Sequence, residues 1–212
     1  ETAAVVSKSE TLKEESRTHL NQTISALGSA IVGYNLSRFE EDYTVFFVEA
    51  LEPALGADDF LRQYDVSRLM YGEQKILSGR MKEDLLQHRY SYFEDDLVIL
   101  NWDNALMIEP SGSMDIADIL EFAIAQLLEL RYYDDVVDRE LSTIQEDISE
   151  KGALSLWRIK KYERLAAAVM KTITELMGIT EKIDSSLKVT EDAYYAKIYL
   201  AALRLFRVKD WE

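Results

Sequence analysis

The sequence predicts an α+β protein: a small mixed α/β head with three to four strands, followed by a body of three long helices. Three observations predict it. Met114–Glu212 contains no proline and only two glycines, Gly152 and Gly178, so its apolar periodicities can run as long helices joined by short connections. Asp96-Leu97-Val98-Ile99-Leu100 and Ala105-Leu106-Met107-Ile108 flank Asn101-Trp102-Asp103-Asn104; Asp and Asn favour tight turns, which predicts a β-hairpin over residues 96–109. Pro110-Ser111-Gly112-Ser113 is a turn-rich cluster suited to a boundary. The expected organisation is an N-terminal amphipathic helix over 1–33, the α/β head over 34–112 and a three-helix body or stalk over 113–212.

Taken in order, Thr11-Leu12-Lys13-Glu14 has capping-box spacing, with Thr11 accepting from a backbone amide and Glu14 reaching back. Leu12, Leu20, Ile24, Leu27 and Ile31 then share one stripe of a helix that should end near Gly33. Tyr43–Val48 is aromatic and β-branched and reads as a buried strand. A short helix is expected around Asp58–Tyr64, and another, capped by Ser78, to near Arg89.

The first body helix should cover 114–150, with Ile116, Ile119, Leu120, Ala123, Leu127, Leu130, Val137, Leu141, Ile144 and Ile148 on its apolar side. At ~1.5 Å per residue it would reach about 50 Å, a length that suits a stalk or a projecting hairpin. A second helix is expected over 154–177, ending at Gly178, and a third after a cap at Thr190, with Glu191 and Asp192 at its positive end. No stop signal precedes Glu212 and the chain starts at Glu1, so the sequence reads as a fragment truncated within its last helix.

Composition narrows the function classes. At 212 residues and 48% hydrophobic, the chain can build a core. With 24 Lys+Arg against 39 Asp+Glu, its net charge of −15 would repel a nucleic-acid backbone, so no nucleic-acid partner is expected. The absence of cysteine removes disulfides, thiolate nucleophiles and zinc-thiolate sites. The two histidines, His19 and His88, stand far apart in sequence. No window reaches the roughly 18 apolar residues of a membrane span. Glycine-rich phosphate loops and the G-x-S-x-G nucleophile context are absent from the sequence.

Asp134-Asp135-Val136-Val137-Asp138 matches the DDxxD pattern by which prenyl-diphosphate enzymes hold magnesium. Asp134 and Asp138 are four apart on a helix and share a face, and carboxylate oxygens suit a hard cation. The competing reading is a solvated face salt-bridged to Arg131 and Arg139, and no second acidic metal motif follows downstream. Glu94-Asp95-Asp96 and Glu40-Glu41-Asp42 read as charges guarding strand entrances against edge pairing. Tyr194, Tyr195, Ile198, Tyr199 and Phe206, with Ala202 and Leu203, make a wide apolar sector on the last helix. Such a sector needs partners on more than one side, either the other body helices or a surface for self-association.

Ser91–Asp103, Gln126–Asp134 and Leu205–Trp211 carry a resemblance to a group of uncharacterised bacterial membrane-anchored proteins. That group is similar in layout to membrane proteins related to the meiotic nuclear division (sporulation) protein, and more distantly to CorA-type transporters. The resemblance implies a soluble head and long helices ahead of a C-terminal anchor outside this chain, at the cytoplasmic face of a membrane; without an anchor, the expectation is cytoplasmic. It implies no activity and no functional residues.

The combined expectation is a non-enzymatic portion of a membrane-anchored protein, without a cofactor, acting by homo-oligomerisation or by binding partner helices. The alternatives are a magnesium-dependent enzyme using Asp134, Asp135 and Asp138, and a soluble regulatory module binding a small ligand.

Overall fold

A computed structural model describes residues 10–30, 39–52, 54–150 and 193–206, together with Glu163, Ala166, Ala167, Met170 and Thr174; side chains at 29, 140, 141 and 143–150 are outside the description. The described elements run α1 (Glu10–Leu27), a 3-10 turn (Gly28–Ala30), β1 (Thr44–Val48), α2 (Ala57–Gln63), α3 (Ser67–Met70), α4 (Gly79–Leu86), β2 (Arg89–Tyr90), β3 (Leu97–Leu100), β4 (Asn104–Ile108), α5 (Asp115–Glu150) and α6 (Ala193–Leu205). The fold class is α+β. The chain divides into two compact units, one of Glu1–Arg38 with Asp42–Ser113, the other of Phe39–Glu41 with Met114–Glu212.

The first unit is organised by a four-stranded sheet in the order β1-β4-β3-β2. β4 pairs antiparallel with β3 and parallel with β1, while β2 pairs antiparallel with β3. Leu97 opposite Ile108 and Ile99 opposite Leu106 put four apolar side chains on one face. Val66, Met70 and Leu85, from the helical segment between β1 and β2, close over that face to form the core. Val98, Leu100, Ala105 and Met107, on the other face, are also buried. Burial on both faces explains why these strands are continuous apolar runs rather than alternating ones.

β1 differs from the expected buried strand: all five of its residues are only half-buried, because β4 lies on one side of it and no described strand on the other.

The helices of this unit follow local chemistry. Ser78 has extended backbone and its hydroxyl accepts from the Met81 amide (3.4 Å), which starts α4. α4 stops at Leu86 rather than near Arg89, because Arg89 and Tyr90 leave the helix to pair with β3. Asp58 and Asp59 occupy the first turn of α2, where the helix dipole favours them. α3 was not foreseen from the periodicity. Its start is marked by Asp65, whose carboxylate accepts from the Ser67 amide (3.2 Å) and also from the Ser67 hydroxyl.

α1 forms but buries none of its 18 residues. It begins one residue before Thr11, so Thr11 lies inside the helix rather than capping it, and it ends at Leu27 rather than near Gly33. Gly28 (φ +45°) supplies the left-handed conformation that a helix C-terminus favours. Ile31 and Gly33 lie outside the described residues.

In the second unit, α5 spans 36 residues, about 54 Å at ~1.5 Å per residue. Ile116, Leu120, Ala123, Leu127 and Leu130 are buried, at the alternating four-and-three spacing of one helical stripe. Ile198, Tyr199, Ala202 and Leu203 of α6 are buried, and α6 packs against α5. The expected helix over 154–177 and the Thr190 cap lie mostly outside the described residues, although the five described positions between 163 and 174 are helical. No described helix is long and apolar enough to cross a membrane.

Candidate functional site

In the first unit, a groove of about 480 Å³ runs between the start of α2, strand β2 and the loop ahead of β3. Its floor is held by backbone bonds. The Ala57 amide donates to the Glu94 carbonyl (2.9 Å), and Gly56 eases that approach, since a Cβ there would crowd the same oxygen at 3.2 Å. Arg89 projects from β2 toward Asp58 (3.5 Å), with both side chains largely exposed. Asp59, Ser91 and Glu94 complete the polar rim, beside the Phe93 ring. The groove therefore carries one guanidinium among three carboxylates, a polar, open surface without an apolar cavity of the kind that encloses a small ligand.

Asp96 fixes the rim. It is buried, and its two carboxylate oxygens accept from the amides of Tyr92 (2.8 Å) and Phe93 (2.9 Å). The expectation that Glu94-Asp95-Asp96 is a set of guarding charges is corrected for Asp96, which is a structural acceptor; Glu94 and Asp95 are exposed. Holding these amides leaves the Tyr92 and Phe93 rings exposed, edge to face at 4.8 Å.

At the opposite end of the sheet, a polar anchor closes the β3–β4 turn. The Asn101 amide donates to the Asn104 carbonyl (2.8 Å). The Asn104 side-chain amide donates to the Met70 carbonyl (2.8 Å) and to the Asp103 carboxylate (2.6 Å). Those two acceptors fix which way the amide faces, and its buried oxygen has no hydrogen-bond partner among the described residues. The Tyr43 hydroxyl lies against the carbonyls of Asn101 (3.0 Å) and Asn104 (2.8 Å) and donates into that pair. Burial first, and the nearby Asp103 charge second, push its ionisation well above the ordinary tyrosine value. Tyr43 is thus a neutral donor here, not a proton-transfer group. Trp102, at the tip of the turn, is exposed.

A second, smaller polar patch lies where Lys82 meets Asp65 (2.5 Å). The bond from Lys82, then that from Ser67, holds the Asp65 carboxyl below its usual range. His19 is exposed on α1 and His88 half-buried ahead of β2.

In the second unit, Asp134 and Asp135 are half-buried and Asp138 is exposed. Asp135 pairs with Arg139 (2.9 Å) one turn on, as the salt-bridged reading expected. Arg131 instead pairs with Glu41. Among the described residues, no three acidic or histidine side chains converge in a way that could hold a metal ion.

The aromatic sector of α6 faces inward in part. Ile198, Tyr199 and Phe206 are buried, and Tyr194 and Tyr195 half-buried. The Tyr199 hydroxyl donates to the buried Gln126 side-chain oxygen, its ring stacks with Phe122 at 5.8 Å, and the Tyr195 hydroxyl reaches Asp115 (3.2 Å). The sequence reading singled out neither the Arg89–Asp58 groove nor the Tyr43–Asn104 anchor. Both join residues thirty or more positions apart, and only the three Asx residues around the turn gave a local hint.

Residues 1–115 match the family described as "Uncharacterized protein MJ0711, N-terminal domain", and the chain belongs to that family. "Uncharacterized protein MJ0711" of Methanocaldococcus jannaschii is 25% identical over 182 residues, covering 84% of this chain and 54% of the relative. The chain thus spans about half the length of the curated relative it matches. That relative is archaeal, where the sequence resemblance pointed to bacterial proteins, and neither match links the chain to sporulation proteins, CorA-type transporters or a membrane. No solved structure matches.

Proposed function

We propose that this chain, as a member of that family, is a non-catalytic interaction module that self-associates through its N-terminal helix. One observation carries the reading: α1 is an 18-residue helix with no buried residue, and Leu12, Leu20 and Leu27 lie about half exposed at 48%, 45% and 48%. With Ile24 they fall within about 120° of one side of the helix, given ~100° per residue. An isolated helix of this length is marginal in water, and most helical stability comes from packing an apolar face. A second α1 offers that face a matching stripe.

The wider reading is that this is the soluble portion of a membrane-anchored protein. It is supported by the order of a compact head and a long helix, together with the greater length of the archaeal relative. Membrane fractionation of the full-length gene product tests it, and recovery wholly in the soluble fraction would refute it.

Self-association is tested by sedimentation velocity over a hundredfold range of concentration. The parent chain is expected to form a dimer or larger species, and Leu20→Glu/Leu27→Glu to be monomeric with an unchanged melting transition. A parent that stays monomeric throughout removes the proposal.

A further inference from the structure

β1 is an edge strand with no neighbouring strand on its outer side among the described residues. The Thr44 amide donates to the Asp103 carbonyl (3.2 Å), and the Val48 carbonyl accepts from the Glu109 amide (3.0 Å). In a parallel ladder, alternate residues turn both backbone groups to the same neighbour. Thr44, Phe46 and Val48 therefore address β4, and the N–H and C=O groups of Val45 and Phe47 point away from the sheet. Among the described residues no hydrogen bond reaches those groups. The strand has the composition that pairs most readily, Thr-Val-Phe-Phe-Val, and carries no proline, lysine or bulge of the kind that blunts edges. Its side chains remain half-buried, with Phe46 and Val48 packed on the helix-covered core and Val45 and Phe47 on the other face. An added strand would bury what is left of both sets.

Charge decides between occupants. Asp42 precedes the strand, and Glu49 and Glu52 follow it; all three are exposed, and none is ion-paired among the described residues. If a second copy paired antiparallel about Phe46, each copy would bring these acidic flanks to the other's. Like charges across a strand pair are unfavourable. A segment with basic residues on both sides of an apolar stretch meets the opposite condition.

We propose that β1 is a strand-addition site for an extended, β-branched segment of another polypeptide flanked by Lys or Arg. Backbone bonds to Val45 and Phe47 would give the affinity, and Asp42, Glu49 and Glu52 the selectivity. This surface is separate from the α1 stripe, so Leu20→Glu/Leu27→Glu is expected to leave it intact.

The test uses the whole chain and two labelled synthetic peptides, Lys-Arg-Val-Thr-Ile-Val-Thr-Lys-Arg and the same core flanked by glutamates. The basic peptide is expected to bind and to slow amide exchange at Val45 and Phe47, and the acidic peptide to bind at least tenfold more weakly. Asp42→Lys/Glu49→Lys/Glu52→Lys should reverse that preference. Asp118→Lys/Glu121→Lys/Glu129→Lys, which changes net charge equally on exposed positions of α5, should preserve it. Val45→Pro removes only an outward N–H and should abolish binding, and the charge variants decide the matter if that variant does not fold. Equal affinity for the two peptides, exchange protection away from Val45 and Phe47, or equal effects of the two charge reversals would overturn the proposal. So would a concentration-dependent dimer of the parent that Val45→Pro dissolves, which would assign the edge to a second copy.

Discussion

α1 and α6 are both amphipathic helices, and they meet opposite fates. α1 is the longer, 18 residues against 13, yet buries none of them, while α6 buries Ile198, Tyr199, Ala202 and Leu203. Their sequences differ in how much of the surface is apolar. α1 carries Glu10, Lys13, Glu14, Glu15 and Arg17, leaving a narrow stripe, whereas α6 carries only Lys197 and Arg204 and is apolar over most of its circumference. α6 packs against α5, and Ala202 is among its buried residues. A narrow stripe shows which side of a helix can be covered; it does not supply the cover. Stability should accordingly track burial rather than helical pattern.

The largest effect is expected at Ile198, which is 0% exposed: Ile198→Ala should destabilise the chain by about 2–5 kcal/mol in denaturant unfolding, the usual range for an aliphatic core truncation. A loss under ~1 kcal/mol would break the comparison at its buried end.

Asn104 extends the contrast to a polar group. Asn104→Leu leaves the Asp103 carboxylate without its close donor and weakens the cover of the Met70 carbonyl, which keeps only the longer bond from Asn101 (3.2 Å). A loss of about 1–3 kcal/mol is expected, as for a buried polar group deprived of its partner, and thermal melts that superimpose on the parent's would contradict the anchoring role.

Ser78 is exposed but acts locally as a helix cap, so Ser78→Ala should cost about 1 kcal/mol, measurable as a lower urea midpoint with an unchanged slope. No shift would mean that α4 is held by packing alone.

The Asp65–Lys82 pair is partly exposed, and its effect should be smaller still. Because the folded-state pKa of Asp65 is lowered, its contribution is fully present above the unfolded value of ~3.9 and is lost as pH falls through the folded value. Lys82→Met should flatten that part of the acid-unfolding profile, and an identical profile would show that Ser67 alone depresses the carboxyl.

Leu20→Ala marks the exposed end. Under conditions where the chain is monomeric, its effect should stay within ~0.5 kcal/mol, typical of surface substitutions, and a loss above ~2 kcal/mol would reveal an α1 contact that burial does not show.

Much of the secondary structure was legible. Leu97–Leu100 and Asn104–Ile108 had the continuous apolar runs of doubly buried strands, separated by a turn rich in Asx residues, and they pair as that pattern implies. Ser78 announced α4 through its own hydroxyl. The candidate sites were far less legible. Asp96 looks like its acidic neighbours in sequence, yet it alone is buried against two amides. Tyr43 is 61 residues from Asn104, and no periodicity relates them.

The sequence by itself determined where α4 starts and where β3, β4 and α5 form, since propensity, capping and apolar spacing act within a few residues. Tertiary structure alone decided the pairing of β1 with β4, the place of β1 at the edge of the described sheet, the burial of Asp96 and the exposure of α1. Each of these depends on which distant segment occupies neighbouring space, and burial and hydrogen-bond satisfaction are properties of that neighbourhood rather than of the local chain.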